Sequence, residues 1–446
     1  MDRRFFLSAG GILLAAASPL AWADDKKKPS SNSGSSGTTS GTGVSTAPTG
    51  SAIKSRVIVI GGGMAGATVA KYLRLWGDGI AVTLIDRNSS YVSNIMSSMV
   101  LTGQRTLTSL TYSYSKLQSA YGVTVVKGEV SNVDPSNGQV QLADGTILTA
   151  DRIVMAPGIE FDDVPGLGSS DRMPHAWQAG PQTTLLQKQL SAMTAGGTVI
   201  LTIPQKPYRC PPGPYERACL IGDWLKTYKK GSQLIVLDAN TDYVAEKDNF
   251  VAGFKLHNIK YLPNSAVQSV DPGTSSTGLM SIKTTDGVTH QANVVNMIPR
   301  QKAGGLVVKT GLANATEGRF AGVNQLTYAS TVSGAGKVHI IGDSSATDQP
   351  KAGHIANQEA KVCADAIVRS LAGLQPDPAP VTNSACYSTI TMSQASWLIA
   401  MYQYDPVAAK MALAAVPGVA ASTGWNGDNF EDMNTWFSAL MADSFA

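Results

Sequence analysis

The sequence predicts an α/β fold with two Rossmann-like, dinucleotide-binding-type domains and a C-terminal α+β domain. Three observations carry this. A buried strand run, Arg56 to Ile60, leads directly into Gly61-Gly62-Gly63-Met64-Ala65-Gly66 and a helical stretch reaching Trp76. A second strand, Lys337 to Ile341, ends in Gly342-Asp343 ahead of a helix-like stretch, Ile355 to Leu371. Between them, Thr198 to Ile203 is a buried strand that can seed a second parallel sheet. With 446 residues and 43% hydrophobic content, the chain can bury several cores. A formal net charge of +3 lacks the concentrated basic excess of a nucleic-acid binder. No apolar run reaches membrane-span length, so stable membrane insertion is not expected.

The N-terminus reads as an address. Arg3-Arg4-Phe5-Phe6-Leu7, the apolar run Gly10 to Ala17, and Ala21-Trp22-Ala23 follow the order of an export signal. The arginine pair resembles a twin-arginine signal, so residues 1–23 are expected to be removed and the chain to reside in the periplasm. Residues 24–53 are expected to form a flexible linker. Of residues 29–52, 18 of 24 are Ser, Gly or Thr, too little apolar surface to offset ordering entropy.

The glycine segment has a specific physical logic. Gly61 permits a tight turn, Gly63 lets the backbone approach a pyrophosphate, and Gly66 lets helix pack on strand. Met64 and Ala65 lie in the turn ahead of the helical stretch Ala67 to Trp76, and the free N–H groups at that helix N-terminus suit phosphate. Asp86 closes the next strand, Ala81 to Ile85, where it can accept from a ribose hydroxyl; its neighbour Arg87 joins the cofactor set. The Gly342-Asp343 segment resembles the second flavin motif of two-dinucleotide-domain flavoproteins. Ile153 to Gly158, with Ala156 and Gly158 near the cofactor, matches the strand and turn by which such chains leave the flavin domain. FAD is therefore the expected cofactor, held by residues 54–164 and 304–376.

In residues 165–303 the corresponding strand is followed by Pro204 to Glu216. No GxGxxG is present, and the prolines remove N–H donors that a nicotinamide dinucleotide would need. This second domain is expected to keep its fold without that cofactor.

Four cysteines remain. Cys363 lies on one apolar helix face and reads as a core thiol; Cys219 reads similarly or, nine residues after Cys210, as a disulfide partner. Cys210 sits among Pro204, Pro207, Pro211, Pro212 and Pro214 at the C-terminal end of a strand, where α/β sheets bind ligands. Cys386 follows the proline-rich stretch 376–380. From spacing alone, a structural disulfide between these two is the favoured reading in an oxidising compartment.

At these residues the sequence resembles the flavoprotein subunit of flavocytochrome c sulfide dehydrogenase. The resemblance is carried by Val57 to Gly66, Pro174 to Gly180, Arg209-Cys210-Pro211-Pro212-Gly213-Pro214-Tyr215-Glu216-Arg217-Ala218, Val295 to Pro299, Ile341 to Asp343, Pro350 to Gly353, and Cys386 to Ser388. It spans roughly residues 54–446 and implies a glutathione-reductase-like architecture with residues 377–446 as an interface domain. It also implies a redox-active Cys210–Cys386 disulfide beside the flavin. Hydrosulfide would attack it, giving a persulfide and a thiolate, and electrons would pass through FAD to a c-type cytochrome. Cys386 is placed nearer the flavin and Cys210 nearer the sulfide entrance. Glu216 can shuttle a proton or serve as a salt-bridged helix-start residue; Lys351 can stabilise reduced flavin or lie on the surface. One departure is Asn94, which stands where the family often has a flavin-linking cysteine. Asn has no nucleophile for a thioether, so non-covalent FAD is expected. No haem-binding CxxCH occurs in the chain.

Two other readings compete. A sulfide:quinone reductase usually has a basic, amphipathic C-terminal region. Here residues 387–446 hold Lys410 against Asp405, Asp428, Glu431, Asp432 and Asp443, and include Trp397, Trp425, Phe430, Trp436 and Phe437. The acids suit a basic cytochrome better than anionic lipid, or are simply solvated, and the aromatics suit either an interface or an ordinary core. The other reading is a non-catalytic accessory flavoprotein of a thiosulfate-oxidising system.

Overall fold

The computed structural model describes residues 53–275, 278–416 and 418–446. The export-signal segment, and the expected linker except Ile53, lie outside them.

The first domain is built on a parallel sheet ordered Val338–Ile340, Arg152–Met155, Ser55–Ile60, Ile80–Asp86 and Thr124–Lys127. Val57, Val59, Val82 and Leu84 are all buried, as expected for strands covered on both faces. The edge strand Val338–Ile340 comes from far down the chain, so a single sheet joins the glycine-turn segment to the Gly342-Asp343 segment. Two helices, Met64–Trp76 and Gly353–Leu371, pack together against it through small residues including Ala67, Ala70, Ala356 and Ala360. Cys363 is buried on the second helix, as its apolar face predicts.

The central domain has its own parallel sheet, ordered Lys260–Leu262, Gln233–Asp238, Thr198–Ile203 and Val294–Asn296. Its topology repeats the strand–helix–strand start of the first domain, with the helix Gly213–Tyr228 as crossover. Asp238 ends the second strand, as Asp86 does in the first sheet. Here the acid is fully buried and serves the domain itself. Tyr215 and Tyr261 donate to its Oδ2 at 2.6 and 2.9 Å, and the Asn240 backbone N–H donates to Oδ1 at 2.8 Å. Tyr243 stacks on Tyr261 with ring centroids 4.3 Å apart. Aromatic side chains thus occupy the place beside the strand-end acid, consistent with a dinucleotide-type domain that has lost its glycine turn.

The C-terminal domain is α+β: strands Val381–Thr391, Gln394–Asp405 and Lys410–Leu413 form an antiparallel sheet, with Val419–Ala421 paired to the second strand. The helix Gly427–Phe445 follows, capped by the Asn426 side chain accepting from Asn429 N–H at 2.7 Å. This helix is packed into the first domain. Phe437 belongs to the first domain's core, and Trp397, Phe430 and Trp436 pack against it. Phe445 stacks on Tyr91 with centroids 5.1 Å apart. These aromatics are core contacts, the plainer of their two sequence readings.

Asp443 anchors the helix end. It accepts from Tyr72 at 2.5 Å and Asn357 at 2.7 Å, and pairs with the Lys361 ammonium at 2.8 Å. Burial opposes its charge, but Lys361 and the two donors together hold its carboxyl below the usual range. A depressed folded-state pKa contributes stability above the unfolded value and loses it as pH falls. Asp443→Asn is expected to lower stability by about 2 kcal/mol at neutral pH, the difference shrinking below about pH 4. Urea unfolding of both proteins across that range checks this.

Candidate active site

The first domain's glycine turn opens onto a cavity of about 1370 Å³ that continues to the C-terminal sheet. At its dinucleotide end lie Gly61, Gly63, Met64, Ala65, Asp86, Arg87, Asn94, Ala156 and Gly158. Gly61 takes φ +96°, and a Cβ there would collide with the Ala156 carbonyl oxygen. Gly66 is not in the lining; a Cβ on it would fall on the Gly61 carbonyl, so it serves the close helix–strand packing expected of it. Asp86 Oδ2 accepts from Gly62 N–H at 2.6 Å and Oδ1 from Asn88 N–H at 2.7 Å, which orients the acid at the cavity mouth. Asn94 reaches the cavity, and its Oδ1 accepts from Ala179 N–H at 2.7 Å.

Gly342 and Asp343 line the middle of the cavity. The turn is fixed from behind, where Glu359 Oε2 accepts from Gly342 N–H at 2.7 Å. Burial raises the Asp343 carboxyl, opposed by the charges of Arg209 and Lys351. The Arg209 guanidinium lies 3.9 Å from Asp343, and its buried Nη2 has no hydrogen-bond partner among the described residues. Lys351 is half-buried; its ammonium donates to the Ser345 carbonyl at 2.5 Å, lies over the Phe320 ring, and its charge acts on Asp343 of the cavity.

At the far end, Cys210 and Cys386 reach the same cavity as free thiols. Cys210 occupies the loop after strand Thr198–Ile203 with φ +59°, a left-handed conformation that costs a non-glycine residue roughly 1 kcal/mol or more. Its N–H donates to the Lys351 carbonyl at 2.6 Å, and its carbonyl accepts from Gly213 N–H at 2.9 Å. Cys386 lies within strand Val381–Thr391, packed near Ala352, Ile355 and Tyr402. Burial raises both thiols, and each carries further negative neighbours: Cys386 and Glu216 for Cys210, Glu246 and Glu216 for Cys386. Cys219, fully buried in the central core, is no part of this pair.

Glu216 begins the helix Gly213–Tyr228 and lines the cavity. Burial pushes its carboxyl up to about 7, against donation from Thr389 Oγ1 at 2.8 Å and Thr389 N–H at 3.3 Å. Its partner is thus a threonine of the C-terminal sheet. Arg217 beside it is buried, stacked 4.5 Å from the Trp177 ring, and donates to Ser98 and Asn296. His175 is driven down to about 4 by burial and by the charges of Arg217 and Arg209, so its imidazole is neutral at pH 7.

Sequence reasoning gave no site role to Arg209, Arg217, Trp177, Tyr91 or Trp436, all of which line the cavity. Arg209, Arg217 and Trp177 fall within the stretches that carry the resemblance. Tyr91 had no signal of its own, and Trp436 stood only among the aromatics of the C-terminal region.

The residues fit a flavin dinucleotide: glycine positions where a Cβ would clash, a strand-end acid, and an unpartnered guanidinium nitrogen in a cavity running on to two thiols. Residues 55–194 match the pyridine nucleotide-disulphide oxidoreductase family. In fold, the chain resembles the sulfide:quinone oxidoreductase of Aquifex aeolicus, with TM-score 0.69, 18% identity, and coverage of 87% of this chain and 91% of that one. It also resembles an NAD-dependent persulfide reductase from A. fulgidus, with TM-score 0.58, 12% identity, and coverage of 87% and 77%. Ferroptosis suppressor protein 1 of Taeniopygia guttata is 30% identical over 105 residues, 23% of this chain and 26% of that relative's length. The fold is that of the FAD- and NAD(P)-type disulphide oxidoreductases, and the site fits FAD. Within that class, residues 183–299 match the central part of the flavoprotein chain of flavocytochrome c sulfide dehydrogenase, bearing out the resemblance seen around Cys210.

Gly61→Ala is expected to leave the purified protein with less than about a tenth of wild-type FAD, because the added Cβ breaks the turn that admits the pyrophosphate. The ratio of flavin to protein absorbance measures it.

Proposed function

We propose that this chain oxidises hydrosulfide to sulfane sulfur and delivers the electrons to a c-type cytochrome in the periplasm, after export by the twin-arginine route. The observation that carries the reading is the arrival of Cys210 and Cys386, from separate domains, in one cavity that begins at the dinucleotide turn. FAD, held without a covalent link because Asn94 offers no nucleophile, supplies the acceptor for the electron pair released when the cysteine disulfide re-forms.

The chain's own residues account for the sulfur steps. Hydrosulfide attacks the Cys210 sulfur of the oxidised pair; a new S–S bond forms, the Cys210–Cys386 bond breaks, and Cys386 leaves as a thiolate. A second hydrosulfide takes the outer sulfur of the Cys210 persulfide, leaving a Cys210 thiol and a disulfide anion. Re-forming the Cys210–Cys386 bond then releases two electrons and one proton. Glu216, at the cavity wall with its carboxyl near 7, is the acceptor for that proton. Arg209 and Arg217 at the same end favour an anionic substrate.

Anaerobic sulfide titration of the purified holoprotein is the deciding experiment. Wild type is expected to bleach its flavin absorbance, and Cys210→Ser is not. An unbleached wild type would overturn the reading in favour of an accessory flavoprotein.

Below about pH 7 Glu216 is increasingly protonated and cannot accept a proton, so its contribution falls with acidity. Glu216→Gln is expected to slow sulfide-dependent bleaching by about 100-fold at pH 8. Hydrogen sulfide itself ionises in a nearby range, so stopped-flow profiles of wild type and variant are compared; the variant retains only the substrate's limb.

One observation favours a second reading, reduction of a quinone. Val407, in the turn between strands Gln394–Asp405 and Lys410–Leu413, and Val416, in the loop after the latter, are 95% and 85% exposed, two apolar side chains that suit a lipid surface. No helix among the described residues is long and apolar enough to cross a membrane. Reoxidation of the reduced protein by cytochrome c or by a short-chain quinone separates the two.

A further inference from the structure

Glu246 carries none of the sequence signals considered above. It takes φ +47° just before the helix Lys247–Leu256, a left-handed conformation that persists in a non-glycine residue only where its contacts over-determine it. Those contacts are made by both carboxylate oxygens: Oε1 accepts from Ser388 Oγ at 2.7 Å, and Oε2 from Ser396 Oγ at 2.6 Å. Ser388 and Ser396 are direct partners across the C-terminal sheet, and both are fully buried. A cross-strand hydroxyl pair thus cradles one carboxylate.

Alternation places Ser384, Cys386 and Ser388 on one face of their strand. The 4.0 Å approach of Ser384 Oγ to Cys386 Sγ agrees with this. Two residues of strand rise, about 6.6 Å, separate Cys386 from Ser388, so the carboxylate is seated one cross-strand pair along from the cavity thiol. Each cavity cysteine therefore has a buried carboxylate nearby: Glu216 follows Cys210 on the central-domain helix, and Glu246 is set beside Cys386.

We propose that Glu246 is a positioning residue for Cys386: its carboxylate, fixed by the Ser388–Ser396 pair, holds Cys386 as a thiol, and Cys386 ionises together with proton uptake at Glu246. The exchange moves one proton and no electrons, Cys386–SH and Glu246–COO⁻ giving Cys386–S⁻ and Glu246–COOH. Burial and then the Glu246 charge push the Cys386 thiol up to about 12, and burial likewise raises the Glu246 carboxyl against its serine donors. The other ionisable groups around Glu246 are Glu216 and Cys219 from the helix Gly213–Tyr228, with Arg217 the cation beside Glu216. On its own helix, Lys247 is exposed and paired with Asp242, and Asp248 is exposed.

In catalysis, which rests on the sulfide-oxidising reading, the device would protonate or release the leaving Cys386 according to the state of Glu246. The coupling itself needs no sulfide. The test is alkylation by iodoacetamide of the chemically reduced holoprotein from about pH 6 to about pH 10, with Cys386 and Cys210 quantified separately by peptide mass spectrometry. Glu246→Gln is expected to alkylate Cys386 about 10-fold faster at a given pH below the midpoint, a downward shift of about one unit. Ser388→Ala and Ser396→Ala are expected to shift it in the same direction by less, because losing a donor makes Glu246 easier to protonate. Cys210 serves as the internal control. An unchanged Cys386 profile in folded Glu246→Gln overturns the proposal; if that variant loses its flavin, unchanged profiles in both serine variants do so instead. A shifted profile in a protein that sulfide does not bleach would keep the coupling and remove only the sulfide reading.

Discussion

One backbone hydrogen bond, from Cys210 N–H to the Lys351 carbonyl at 2.6 Å, ties the central domain to the dinucleotide domain beside the cavity that both thiols line. Cys210 takes a left-handed φ in this arrangement, and the loop is held from several sides. Arg209 N–H donates to Gln301 Oε1 at 2.7 Å, the Trp177 indole donates to the Arg209 carbonyl at 3.3 Å, and Arg209 reaches toward Asp343. The prolines around the cysteine limit the loop's alternatives before these contacts form. Further contacts between the two domains, from Ala179 N–H to Asn94 and from Arg217 to Ser98, hold the thiol loop and the Gly342-Asp343 turn in one arrangement.

A second constraint is the handling of buried charge. Glu216, Glu246, Glu359 and Asp238 all have carboxyls raised by burial, and each keeps specific donors. Burying such a group is tolerable where hydrogen bonds replace water. The donors differ with the task. Asp238 is enclosed by two tyrosines and an asparagine and is structural; Glu359 braces a turn through backbone N–H. Glu216 and Glu246 use hydroxyls of the C-terminal sheet and stand close to the thiols, where a change of protonation has a chemical consequence.

The C-terminal segment accordingly does more than close the molecule. Its first strand supplies Cys386, Ser388 and Thr389, and its helix returns to the first domain, where Phe445 stacks on Tyr91 and Asp443 is captured by Lys361 and Tyr72. The resemblance implied an interface role for this region. Its aromatic residues face largely inward, while Asp428, Glu431 and Asp432 at the helix start and Val407 in a turn are exposed.

What the sequence determined by itself is what local chemistry dictates. The turn at Gly61 and the close packing at Gly66 follow from the absence of a Cβ. The prolines from Pro204 to Pro214 lack N–H donors and stand where a second glycine turn would, and the apolar periodicity around Cys363 marks a core thiol. The observed helices begin slightly earlier than the patterns indicated, at Met64 and Gly353, because helix starts depend on which backbone groups find partners. Only the tertiary structure decided that Cys210 and Cys386 share a cavity, since a chain pattern carries no distance between separate domains. It alone gave Glu216 a threonine partner. It alone set Glu246 on Ser388 and Ser396, because a cross-strand pair exists only once the strand register is formed.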